Sequence, residues 1–229
     1  MRVWDVHPGY LSRQSLLGEH REIHAIFSVV MNRKAGYARH PETLRWKDAL
    51  GSLAHRHGFV VQEMVLRGYG HFSPAPDAGQ TPWPETFIDE PFTQFSLLSA
   101  KYGGLRAGRI PIPRDPSSLW AQHKYSVMAR DPGAYRAIGK AVASARGEAF
   151  FRELARTLAE VLRTRPRKGP LGDALLHMWG YVSGLGPGRP EDDLPGLARE
   201  IQERALLHGV RYLVESTALS DLAYWAAMP

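Results

Sequence analysis

From residue 12 to residue 32 apolar side chains return at three- and four-residue steps, at Leu16, Ile23, Phe27 and Val30, which predicts an amphipathic helix with Ser12 as its cap. A second stripe, Trp46, Leu50, Leu53, His57, Val60 and Met64, predicts one helix from about Pro41 to a stop at Gly68 and Gly70. Between His71 and Pro116 the texture changes. Pro74, Pro76, Pro82, Pro84, Pro91, Pro111, Pro113 and Pro116 all fall there, and proline suppresses regular helix. Helical patterns resume at residues 117–130 and 135–144, on the face made by Phe150, Leu154, Leu158 and Val161, and at residues 171–182 and 194–225. No segment alternates as a strand would, and no repeat is present. The expected fold is therefore all-α: an N-terminal helical module over residues 1–100, a basic Gly/Pro linker over 101–116, and a C-terminal helical bundle over 117–229.

Composition narrows the chemistry. A chain of 229 residues with 44% apolar content can build a real core. There is no cysteine, so disulfides, cysteine zinc sites, iron–sulfur clusters and thiol catalysis are excluded, and any nucleophile is an amine, hydroxyl, carboxylate or imidazole. The net charge of +6 favours an anionic partner, nucleic acid first. With no long apolar run and no signal-like start, the expected setting is the cytoplasm, at the nucleoid, without a membrane.

The run Gln14, Ser15, Leu16, Leu17, Gly18, Glu19, His20, Arg21, Glu22, Ile23, His24 resembles the catalytic helix of the pyrimidine-dimer DNA glycosylase, or endonuclease V-like, family. The likeness extends over roughly the first 72 residues, through Met1 to Asp5, the Arg21-Glu22 pair, and Leu53, Arg56, Glu63, Arg67 and Gly68. It departs at Ala25, which stands where the family's phage member carries a DNA-contacting arginine. The resemblance implies a nucleophilic N-terminal amine, a neighbouring arginine and a catalytic glutamate. Counted back from Glu22, these fall on Met1 and Arg2. An α-amine has a pKa of about 7.7 to 8.0, so a useful neutral fraction exists near physiological pH, whereas a lysine would need strong depression first. The implied reaction is expulsion of the damaged base followed by β-elimination through a Schiff base to Met1, with Glu22 stabilising charge at C1′ and relaying protons. Arg2, Arg13, Gln14 and Arg21 are the expected contacts to damaged double-stranded DNA. Gly18 and Ala25, one turn from Glu22, are small enough to leave room for a sugar.

This chemistry calls for no metal and no organic cofactor. His20 and His24 share one side of the helix, but Arg21 stands where a zincin glutamate would be, and His55 and His57 are only loosely placed as further ligands. They read as paired polar or core histidines. Residues 119–225 resemble the YbgA-like domain, through His123, Lys124, Tyr125, Met128, Tyr135, Arg167, Lys168 and His177. From these, His123, Lys124, Tyr125, Arg167 and His177 are candidates for a polar pocket or DNA-facing surface.

Overall fold

The computed structural model describes residues 1–103, 105, 107–186 and 193–228. Gly104 and Arg106, both within the expected basic linker, lie outside the described residues. Among the described residues all regular structure is helical, as the periodicity predicts. A short 3-10 turn, Pro8–Tyr10, precedes α1 (Arg13–Met31), α2 (Pro41–Trp46), α3 (Leu50–Leu66), α4 (Pro91–Lys101), α5 (Pro116–Met128) and α6 (Pro132–Ser144). There follow α7 (Glu148–Leu162), α8 (Lys168–Trp179), α9 (Leu194–Leu207), α10 (Arg211–Val214) and α11 (Ala218–Ala226).

Ser12 caps α1 as expected, its side chain accepting the Ser15 N–H. The single helix expected from Pro41 onward is two. A break at Lys47–Ala49 turns α2 away from α3, which lets Trp46 and Leu53 both reach the core and frees Glu42 to meet the N-terminal backbone. The proline-rich stretch also holds a helix, α4, that proline content argued against. Pro91 stands at its first position, where a missing N–H costs nothing, and Pro41, Pro116 and Pro132 open helices in the same way.

Two apolar clusters straddle the middle of the chain. One gathers Val3, Trp4, Leu16, Ile23, Leu53 and Leu98 with Ile110, Leu119, Leu154 and Leu158. The other sets Phe59 of α3 against Ala129, Leu175, Ile201, Leu222 and Trp225. Residues 107–110 are drawn in between. Ile110 is fully buried and donates its N–H to Gly9 O, and a Cβ at Gly108 would lie 2.5 Å from Tyr10 O. Gly108→Ala therefore forces backbone apart and should cost about 1–3 kcal/mol, read as a lower denaturant midpoint; an unchanged midpoint would contradict that packing.

Buried charges are paired across the same divide. Glu63 of α3, wholly buried, accepts both nitrogens of the Arg109 fork (2.9 and 2.6 Å), Arg67 Nε (2.7 Å) and Ser220 Oγ (2.7 Å). Arg109 goes on to Ser216 O at 3.0 Å, and Arg67 to Leu11 O at 2.7 Å. Arg130 grips Asp221 with both terminal nitrogens. The Arg109 and Arg67 guanidiniums hold the Glu63 carboxyl down at about 2 despite its burial, while burial pushes His123 down to about 3 and His7 well below 6.5. All three folded values lie below the unfolded ones, so each group's stabilisation is present above its unfolded pKa and is lost as pH falls. Melting temperature should therefore be flat just above pH 6.5 and fall below it as the unfolded chain takes protons at His7 and His123. Thermal scans across that range check this, and a constant melting temperature down to the carboxylate range would refute it.

Candidate active site

The N-terminal segment is extended, so its backbone N–H groups have no helical partners and must be met by side chains. Three helices supply them. Val3 N–H donates to Glu42 Oε1 of α2 (3.0 Å), Trp4 N–H to Glu19 Oε1 of α1 (3.0 Å), and Asp5 N–H to Gln94 Oε1 of α4 (2.8 Å). Each acceptor is fixed in turn. Arg56 of α3 holds Glu19 through two nitrogens at 2.7 and 2.9 Å and reaches Val6 O at 3.0 Å. Trp46 Nε1 donates to Glu42 at 3.2 Å, and Gln94 Nε2 donates to Asp5 at 3.0 Å. Asp5 also takes Arg45 at 2.5 Å and Arg163, from the end of α7, at 2.7 Å. Arg45 is thus an internal anchor, its side chain buried against Asp5.

At the head of this rack the Met1 amine lies 3.2 Å from His40 Nε2. His40 caps α2, its Nδ1 accepting the Glu42 N–H at 3.2 Å. With Nδ1 an acceptor, a neutral His40 ring carries its hydrogen on Nε2, the nitrogen that faces Met1. Beside it, residues 35–40 line an open hollow of about 640 Å³. The approach to that hollow, residues 33–39, presents Arg33, Lys34, Arg39 and an exposed Tyr37.

Glu22 stands apart from the other acids of this region. It lies one turn beyond Glu19 on α1, half-buried, and among the described residues it has no hydrogen bond or ion pair. Glu19, Glu42 and Glu63 are all clamped by arginine or indole. A helix turns about 100° per residue, so Glu22 edges the core face of α1 on the side of Gly18 and Ala25. That side is open, for a Cβ added at Gly18 would meet nothing within 4 Å.

The remaining expected contacts divide into two groups. Arg2 is half-buried, stacked 4.3 Å over Trp4, with Nη1 on Asp89 at 2.6 Å, while its Nε and Nη2 are buried without a partner among the described residues. Arg13, Gln14 and Arg21 are exposed on α1, and Gln14 and Arg21, two turns apart, share its outward face. Arg13 lies over the Tyr69 ring.

On the opposite edge of α1 from Glu22, the structure gathers histidines that sequence spacing left apart. His57 of α3 joins His20 and His24, and His71 joins all three. His55 turns away to Tyr224, because residues two apart on a helix face different ways. Proximity of His71 has no sequence signal, since it depends on the path of an irregular segment.

The C-terminal candidates do not converge. His123 is buried and bonds the Tyr10 hydroxyl at 2.9 Å, tying the two halves together. Lys124 packs over Tyr125 and Tyr212, whereas Arg167 and His177 are exposed.

No helix among the described residues is long and apolar enough to cross a membrane. No curated protein and no solved structure significantly matches the chain. Family models do match: residues 1–77, which carry the extended N-terminal segment, α1 to α3 and the histidine cluster, match the family described as pyrimidine dimer DNA glycosylase, and residues 124–186 match a family described as protein of unknown function (DUF1722).

Proposed function

We propose that the protein is a DNA glycosylase with abasic-site lyase activity, acting on pyrimidine dimers or related lesions in duplex DNA through a Schiff base to the α-amine of Met1. The observation that carries this reading is the half-buried carboxylate of Glu22, without a partner among the described residues, on the helix whose preceding turn holds the backbone of Trp4. The family match over residues 1–77 supplies the substrate class. An extended chain spans at most about 3.3–3.6 Å per residue, so the Met1 amine is within roughly 10 Å of the Trp4 nitrogen, an interval that a deoxyribose and two side-chain reaches can fill.

In this scheme the neutral amine attacks C1′ of a nucleotide turned out of the stack, and the C1′–N bond breaks to release the base. Glu22 stabilises positive charge at C1′, takes the proton that the attacking nitrogen sheds, and returns it to O4′ as the sugar ring opens to the Schiff base. Removal of a C2′ proton then expels the 3′ phosphate. His40 would steady the Met1 terminus until its lone pair turns to C1′, and Arg2 would meet a phosphate or sugar oxygen. Arg13, Gln14 and Arg21 would bind the duplex backbone, so affinity should fall steeply with salt. No metal or organic cofactor takes part in these steps.

Borohydride reduction in the presence of duplex DNA containing a dimer or an abasic site tests the reading. A covalent protein–DNA adduct is expected. Tight, salt-sensitive binding without any adduct would make the chain a binding protein on the same scaffold and contradict the proposal. An uncleaved N-terminal tag should abolish trapping, and its removal to expose Met1 should restore it; trapping at equal rates with the tag in place would rule out the α-amine.

A further inference from the structure

The histidine cluster on the far edge of α1 takes no part in the chemistry proposed above, yet it is the densest group of ligating side chains among the described residues. His20 and His24 come from α1, His57 from α3 and His71 from the segment after α3, and one nitrogen of each lies within 4.8 Å of the others. The contacts are closer still at the centre, where His57 Nε2 is 3.2 Å from His20 Nε2 and 3.1 Å from His24 Nε2.

Hydrogen bonding alone does not satisfy this arrangement. A neutral imidazole offers one N–H and one lone pair, on different nitrogens. His57 Nε2 therefore has either one hydrogen or one lone pair with which to meet two neighbours. Adding protons would supply donors, but would set imidazolium charges within hydrogen-bond distance of each other in a partly buried site. A partly buried site disfavours such charge, so the four rings are left with too few hydrogens for the contacts they make.

A single cation removes the conflict by accepting every lone pair at once. Ligand nitrogens about 2.0–2.1 Å from a tetrahedral ion are spaced by roughly 3.3 Å, close to the separations at His57. The Ser73 carbonyl stands beside the group, accepting from His71 Nε2 at 2.7 Å. It is available as an oxygen donor or as the acceptor that orients a ligating ring. No carboxylate belongs to the group, and an imidazole set suits first-row transition ions rather than calcium or magnesium.

We propose that His20, His24, His57 and His71 bind one divalent transition-metal ion of the zinc class, which staples α1 to α3 and to the segment through Ser73. The ion lies across α1 from Glu22 and fixes the rotation of that helix. It also fixes the backbone on either side of Phe72, whose side chain is 93% exposed. The site stands whether or not the lyase reading does, because its ligands include none of the groups assigned to catalysis.

The test is metal binding by the full chain after removal of any affinity tag and of adventitious metal with a chelator. Titration with Zn(II), followed by calorimetry, and with Co(II), followed by its visible d–d absorption, should each saturate at one ion per chain. His57→Ala and His71→Ala should each weaken binding by at least about 100-fold, and the exposed His208→Ala should leave it unchanged. His71 lies outside the helices, so its variant keeps both α1 and α3 intact. X-ray absorption of the loaded wild type should show histidine outer-shell scattering, and this readout needs no variant to fold. Absence of saturable binding, binding unaffected by both substitutions, or a first shell without imidazole would each overturn the site. None of these outcomes bears on Schiff-base trapping, so failure here and failure of the glycosylase reading are separately visible.

Discussion

Glu22→Gln should lower strand cleavage and borohydride trapping by about a hundred- to ten-thousand-fold, the range expected when a positioned proton-transfer group is removed. Salt-sensitive binding to damaged duplex should survive, because Arg2, Arg13, Gln14 and Arg21 are untouched. Folding should survive as well. Glu22 has no ion pair or hydrogen bond to lose among the described residues, and substitutions at such positions usually stay within about 0.5 kcal/mol. Glu19, three residues earlier, behaves differently. Its carboxylate is buried and holds Arg56 and the Trp4 N–H, so Glu19→Gln should lower stability and activity together. Loss of cleavage at Glu22 with an unchanged melting temperature is thus the signature of a chemical role, and equal cleavage by variant and parent would remove Glu22 from the mechanism.

Glu63→Ala should produce the largest loss of stability, about 3–5 kcal/mol, because it leaves the buried Arg109 fork and the Arg67 guanidinium facing one another without their shared carboxylate. For a chain of this length about 1 kcal/mol moves the melting temperature by 2–4 °C, so a fall of roughly 10 °C is expected in a thermal scan. Glu63 joins α3 to residues 107–110 and to Ser220 of α11, which is why one substitution should loosen both halves of the chain. A variant that melts with the parent would mean that this buried network contributes nothing net.

The long amphipathic patterns were legible because packing and periodicity agree: α1 begins at its serine cap, and Leu16, Ile23 and Phe27 are all buried. The prolines were misread in one respect. They mark where helices start as well as where they cannot continue, so α4 was hidden in a stretch that composition assigned to irregular chain. The break between α2 and α3 was not legible either, since the apolar stripe runs unbroken through it and only the need to bring Glu42 to Val3 separates the two helices.

For the candidate site, the resemblance singled out Met1 and Glu22, but no local rule distinguishes Glu22 from Glu19. Both are glutamates on one helix, and it is Arg56, far away in sequence, that clamps one and leaves the other free. His40 carries no local signal for its role; its position at the amine is a consequence of the tertiary path of residues 33–40. The histidine cluster shows the same limit, for the spacing of His20 and His24 was visible while the approach of His57 and His71 was not.

Peptide mapping of the borohydride-reduced adduct by mass spectrometry identifies the nitrogen that forms the Schiff base. The deoxyribose remnant is expected on the α-nitrogen of Met1, in an N-terminal peptide that otherwise carries a free amine. An adduct on a lysine, or a native terminus that is blocked or begins at another residue, would contradict it.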